Sequence, residues 1–171
     1  MMAILNPDHL IEQAVLLVAP RPKGSPRQVD LRRAISATYY AVFHMVLASL
    51  ADEFVGGTLK KTSRYALVYR SVSHKWLTDL CDELSKQTPK AKFQPYLPVG
   101  GFERDFKAFA SSVSELKERR HEADYDPLKR FKSADANLVI ETGRSAIARY
   151  GKVSVEQRKA FLTMLLLMQT K

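Results

Sequence analysis

AISATYYAVFHMVLASLA, residues 34–51, runs for eighteen positions without a Lys, Arg, Asp or Glu. A stretch of this length is either a membrane span or the central helix of a bundle. Ser36, Thr38, Tyr39, Tyr40, His44 and Ser49 lie within it, and such groups are costly in hydrocarbon. A helix that is apolar nearly all round is also what the middle of a helical bundle requires. The stretch therefore reads as a buried central helix, and the remaining elements must surround it.

Working outward, Ser25-Pro26-Arg27-Gln28 has the form of a capping box with proline at the permitted first position, so this helix is expected over about 26–54. Gly56-Gly57 ends it, and Lys60, Lys61 and Arg64 follow in a basic turn. Upstream, Asn6-Pro7 caps and opens a helix through about Val18, which Pro20, Pro22, Gly24 and Pro26 break. Downstream, residues 64–86 carry Leu67, Val68, Val72, Trp76, Leu77, Leu80 and Leu84 at helical spacing and read as one long helix.

Three prolines and two glycines make 88–101 an irregular loop. A further helix starts near Phe102, carries Phe106, Phe109, Val113 and Leu116 inward, and stops at Asp126-Pro127. Ser133 is expected to cap the next, to Tyr150. Ser154-Val155-Glu156-Gln157 then opens a last helix over about 154–168. No segment alternates with period two and no internal repeat is visible. The expectation is an all-α, up-and-down bundle of four long helices with shorter flanking ones, a single domain over 1–171 with its core in about 6–150. The apolar segment Ala160–Gln169 is too short to cross a bilayer; it should cover the open side of the bundle or form part of an oligomer interface.

Lys and Arg number 27 against 18 Asp and Glu, a net charge of +9, which favours anionic partners with nucleic acid first among them. One cysteine, Cys81, excludes an internal disulfide framework and fits a reducing cytoplasm. The N-terminal segment lacks a basic start and is interrupted by Asp8 and Glu12, so it is a poor signal peptide.

Glycine-rich phosphate loops, a GxSxG elbow and CxxC pairs are absent from the sequence. Glu118 and His121 have the Glu-x-x-His spacing of di-metal sites, but a carboxylate-bridged centre needs a second such pair and two further glutamates. No other histidine has a glutamate three residues before it, so neither a metal nor another cofactor is expected. His44 reads as a core histidine, and His74 as structural or exposed.

The densest charge lies in ELKERRHEADYDP, residues 115–127. If it is helical to Tyr125, then Lys117 and His121 are four apart, as are Arg120 and Asp124, and one face presents Lys117, Arg120, His121 and Asp124 over about 10 Å of rise. Intrahelical ion pairs on a wet helix end would account for the same pattern. Asp124 would then hold Arg120 in place and Tyr125 would pack on the bundle end.

Two stretches together resemble the HEPN superfamily of nucleotide-binding and ribonuclease-associated helical domains. Asp30–Leu50 is similar to its helix with an arginine-rich start and a tyrosine-alanine core. Arg120, Ala123, Asp124 and Tyr125 match the Arg-x-x-Ala-Asp-Tyr form of its signature. The resemblance implies a homodimer acting on RNA. In members with nuclease activity, it implies metal-independent cleavage in a cleft between protomers, by an Arg-x(4–6)-His motif that holds phosphate and moves protons at the 2′-hydroxyl.

Here the register departs from that pattern. Aligning Asp124-Tyr125 puts Glu122 at the histidine position and Lys117 at the arginine position, with His121 one residue early, a rotation of about 100° on a helix. Arg120, His121 and Asp124 are the expected catalytic set. Arg119, Lys117 and Tyr125 are expected to bind RNA, with Arg33 and Tyr40 in the wall of the site. The alternatives are a catalytically silent module paired with a nucleotidyltransferase, as in a toxin–antitoxin-like pair, and a nucleotide-binding domain.

Overall fold

A computed structural model describes residues 4–22 and 24–169. Their regular structure is entirely helical: α1 (Pro7–Val18), α2 (Gln28–Phe54), α3 (Ser63–Tyr69), α4 (His74–Leu84), α5 (Arg104–Tyr125), α6 (Ser133–Lys152) and α7 (Val155–Leu167). Short 3-10 turns lie at Gly57–Leu59 and Ala91–Tyr96, the second inside the proline-rich segment.

The central position of α2 follows from its side chains. Among the described residues it is the one helix long and apolar enough to cross a membrane, yet 67% of that apolar window is buried inside the protein. Leu31, Ala34, Ile35, Tyr39, Val42, Val46 and Leu50 face its neighbours with almost no exposure. It packs against α1, α3, α5, α6 and α7, while α5 also packs between α4 and α6. The buried side chains form one contiguous cluster.

Close approach of α2 and α6 depends on Gly143. A Cβ at that position would lie well inside 3.0 Å of the Thr38 methyl group, and Thr38 is fully buried. α7 lies across α2 and α4, burying Phe161, Leu162, Met164 and Leu165. Trp76 Nε1 donates to the Leu165 carbonyl at 2.8 Å and ties α4 to α7.

Three local expectations are corrected. The long helix expected over 64–86 is two helices, α3 and α4. The apolar spacing continues across the break, but Ser71 donates to the Val68 carbonyl and Ser73 caps α4 by accepting the Trp76 N–H. Serine side chains here compete for the backbone groups that a continuous helix would pair.

The start of α2 is not set by Ser25. Arg27 is the N-cap, and Asp30, three residues on, accepts its backbone N–H at 3.2 Å. Asp30 also pairs with Arg21 at 2.6 Å and with Arg27 at 3.1 Å. Its hydrogen bond from Arg27, helped by the charge of both arginines, holds its carboxyl below the usual carboxylate range despite burial. Likewise Ser133 is the first residue of α6 rather than its cap. Lys132 is the cap, and its N–H donates to Asp135 at 2.7 Å. In both cases a carboxylate in the first turn satisfies an orphan backbone donor and complements the helix dipole.

Candidate functional site

Tyr39 and Tyr40 are adjacent on α2, and both rings face the C-terminal end of α5. The Arg120 guanidinium lies over them, 5.4 Å from the Tyr39 ring centroid and 5.2 Å from that of Tyr40. Its Nε donates to Asp124 Oδ2 at 2.9 Å, the i,i+4 pair that the spacing implied. Nη2 reaches the Tyr125 hydroxyl at 3.5 Å. Ser36 of α2 donates to the other oxygen of Asp124. The side chain of Arg120 is 15% exposed and that of Asp124 29%, so the pair is held at the surface without being freely solvated.

Burial alone would lower the guanidinium pKa, but the Asp124 hydrogen bond and the nearby Tyr40 outweigh it and leave Arg120 firmly charged. A planar cation over two aromatic faces also gains cation–π attraction. Arg120 is thus oriented on three sides before any ligand arrives.

A second arginine fixes the helix end itself. Arg32 of α2 donates from Nη1 to the Ala123 carbonyl at 2.7 Å, and from Nη2 to the carbonyls of Asp126 and Lys129 at 2.8 and 2.5 Å. The last carbonyls of α5 have no partner within the helix, and this guanidinium supplies one. Beyond it, Asp126 Oδ1 accepts the backbone N–H of Leu128 and Lys129, so Asp126-Pro127 builds a turn as well as stopping the helix.

Two imidazoles join this region from the bundle side. His74, the first residue of α4, shares a 2.8 Å hydrogen bond between its Nδ1 and the Tyr39 hydroxyl, and packs on Phe43 with centroids 3.9 Å apart. His44 of α2 makes the same kind of bond, 2.8 Å, with Tyr69 of α3 and stacks on Tyr40 at 6.0 Å. Burial pushes both imidazoles below their ordinary pKa, and for His74 the positive charge of Arg120 adds to the effect. Burial raises the Tyr39 hydroxyl far above its usual range, with Arg120 opposing. At neutral pH these are neutral rings joined by hydrogen bonds.

The expected site residues divide into two groups. Arg120, Asp124, Tyr125 and Tyr40 come together, and Arg33 lies nearby on α2, exposed and without an ion pair to any described residue. Lys117 and Arg119 do not join them, and His121 touches the group only through Tyr125. Arg119 pairs with Glu122 at 3.3 Å, Lys117 reaches its neighbour Glu118 at 3.8 Å, and Glu122 also receives Lys129 at 3.5 Å. His121 is exposed, and its ring packs against that of Tyr125 at 5.0 Å. It makes no hydrogen bond to Arg120 or Asp124.

Arg33, Ser36, Tyr40, His44 and Asp124 line the mouth of a groove of about 580 Å³ between α1 and α2. His44 is the residue that sequence reasoning set aside as core. Its signal was present, since Arg33, Tyr40 and His44 are seven and four residues apart and share one helix face. Among the described residues no three His, Cys, Asp or Glu side chains converge as a metal would require. Comparison of the chain with protein families, with curated proteins and with solved structures finds no match.

Proposed function

We propose that this chain is a HEPN-type, RNA-associated protein that acts as a homodimer in the cytoplasm and grips single-stranded RNA around Arg120. The observation that carries this reading is the held guanidinium. Within the Arg-x-x-Ala-Asp-Tyr motif, Arg120 is clamped over Tyr39 and Tyr40 by Asp124, beside the exposed Arg33. Guanidinium groups grip phosphate in bidentate fashion, and a cation fixed before binding loses little entropy on doing so. The exposed ring of Tyr125, whose hydroxyl Arg120 Nη2 reaches, offers stacking surface to an unpaired base, as single-strand binders commonly use. A two-fold axis would double the positive field along one strand.

Binding is favoured over cutting. The imidazole of the motif, His121, packs on Tyr125 and makes no hydrogen bond to the Arg120–Asp124 pair. The register departs as well, since Glu122 takes the position of the motif histidine and His121 stands one residue early, a rotation of about 100°. The direct test is purified protein incubated with mixed RNA, alongside Arg120→Ala and His121→Ala, with retention and fragments both read. Retention lost in Arg120→Ala without fragments in any sample supports gripping. Fragments that persist in excess EDTA and are lost in both variants would make the protein a metal-independent endoribonuclease. Light scattering at tens of micromolar should give a dimer, and a monomer counts against the reading.

The second reading is a silent HEPN module that partners a nucleotidyltransferase, as in a toxin–antitoxin pair. The self-neutralised end of α5 favours it, because Arg120, Arg119 and Lys117 are all paired, with Asp124, Glu122 and Glu118. An adjacent nucleotidyltransferase gene, together with no RNA retention, would select it. A third role, as a nucleotide-binding domain, predicts heat on titration with ATP or GTP.

A further inference from the structure

We propose that the outer face of α3 is a docking surface for an acidic, amphipathic segment of another protein, a role independent of the RNA reading above. Such a segment would set an aliphatic side chain on Leu67 and carboxylates against the arginines beside it. Residues 54–78 are the longest stretch of the chain without an Asp or Glu. They carry Lys60, Lys61, Arg64, Arg70 and Lys75, five positive charges against a net +9 for the whole chain, so more than half of that excess sits here. The rest of the fold answers this charge only in part. Lys60 reaches Asp52 at 3.8 Å and Lys75 pairs with Asp79, whereas Lys61, Arg64 and Arg70 are exposed and form no ion pair with a described residue.

α3 turns one face inward and leaves the other without a neighbour. It packs mainly on α2, where Tyr65 and Tyr69 are buried with their hydroxyls bonded to Asp52 and His44. Outward, Ser63, Ala66, Leu67, Arg70 and Ser71 line a groove of about 460 Å³, and Leu67 is 74% exposed. A lone exposed leucine is ordinary. One set in a concave surface and rimmed by unpaired cations has the character of a protein-docking site. Arg64 stands one turn before Leu67 and Arg70 one turn after it, so two guanidinium-bearing residues flank the leucine about 9 Å apart along the helix.

Charge and shape select the occupant. Single-stranded RNA would use the cations but also needs aromatic faces to stack on, and both tyrosines of α3 are buried. A second copy meeting this face across a two-fold axis would set the same cations against themselves. A helical segment with carboxylates about 10 Å apart, seven positions along, and a leucine midway matches both features. The arginines grip carboxylates in bidentate fashion, and the apolar side chain covers Leu67.

The probe is a fluorescently labelled synthetic peptide of that pattern, with glutamates as the acidic residues, titrated with full-length protein and read by anisotropy. Wild type is expected to bind it, and to bind a version with glutamines in place of the glutamates about tenfold more weakly. Arg64→Glu combined with Arg70→Glu should weaken the glutamate peptide by about tenfold or more, because like charges then face each other. Leu67→Ser should weaken it by about tenfold, the scale on which one leucine loses most of its burial. All three side chains are exposed, and far-ultraviolet circular dichroism of each variant verifies the fold. The glutamine peptide tests the charge with the protein unaltered.

No binding of the glutamate peptide at millimolar concentration, or equal binding of the two peptides, overturns the docking surface. So does affinity that survives the double arginine reversal. If that double variant instead loses a labelled single-stranded RNA that wild type holds, and the peptide is not bound, the face belongs to nucleic acid and the proposal falls. If Leu67→Ser turns a dimer into a monomer by light scattering, a second copy covers the face and the proposal falls as well.

Discussion

Replacing Arg32 with alanine should loosen the platform on which the whole site stands. Its guanidinium spans the carbonyls of Ala123, Asp126 and Lys129, between 91 and 97 residues away in the chain. A hydrogen bond to a charged group contributes about 1.5–3 kcal/mol net when it is well sheltered. Here the three share one side chain, and the bond to Asp126 is exposed, so water replaces part of what is lost. About 2–4 kcal/mol is therefore expected for the whole cluster, with the Ala123 and Lys129 bonds dominant. For a chain of this size each kcal/mol moves Tm by roughly 2–4 °C, which puts the shift at about 4–16 °C.

Two measurements read different parts of this. Urea unfolding gives the global loss, and hydrogen exchange locates it. Amides near the C-terminus of α5 should lose protection well before those of the α2 interior, because the lost bonds cap one end only. Arg32→Lys should recover only a fraction, since one ammonium cannot reach all three carbonyls from a single position. A stability change under about 0.5 kcal/mol, typical of an indifferent surface substitution, would refute the capping role. So would exchange that rises evenly throughout the chain.

Three further outcomes follow from the packing and the titrating groups. Gly143→Ala gains about 1 kcal/mol of helix propensity but drives a methyl into Thr38, at an overpacking cost of about 1–3 kcal/mol. Net destabilisation near 1 kcal/mol should be seen by urea unfolding, and the added substitution Thr38→Ser should reverse most of it; stabilisation by Gly143→Ala alone would contradict the close approach. His44 and His74 have depressed pKa values, so the unfolded chain takes up these protons first as pH falls past about 6.5. Their contribution is complete above that pH and is lost between there and the lower folded values, so the urea midpoint should drop from pH 7.5 to 5.5, and less so in His44→Gln with His74→Gln; a midpoint that rises on acidification refutes the buried, neutral assignment. Asp124→Asn leaves Arg120 without its carboxylate and should release the guanidinium from the tyrosine faces, seen as altered Tyr39 and Tyr40 ring shifts by NMR; unchanged shifts would mean that the rings alone hold it.

The parts of this structure that were legible in the sequence share a physical feature: their signals are local. Eighteen uncharged residues marked α2 as central, and four-residue spacing marked the Arg120–Asp124 pair. Asn6 and Pro7 marked the start of α1. What was misread involved competition between neighbours. Ser25 and Ser133 looked like caps, but acidic residues three positions beyond the true caps do that work. The α3–α4 break was hidden because Val72 is buried and keeps the apolar period going through it, while Leu67, counted on that same face, is exposed. Arg32 left no local trace, because its partners are backbone carbonyls of a distant helix end. His44 reads as a satisfied core histidine and is hydrogen-bonded to Tyr69, while its place on the groove wall follows from the face that it shares with Arg33 and Tyr40.

The central claim is that the clamped Arg120 and the neighbouring Arg33 grip RNA phosphates. Fluorescence anisotropy of a labelled single-stranded RNA, titrated over a series of salt concentrations, tests it most directly. For single strands the logarithm of affinity falls with the logarithm of salt with a slope of about −0.7 per phosphate neutralised. Arg33→Ala and Arg120→Gln should each weaken binding and flatten that slope by about 0.7 per site lost, while Lys117→Ala leaves it nearly unchanged. Wild-type affinity that is insensitive to salt, or slopes identical in all four proteins, would contradict the account.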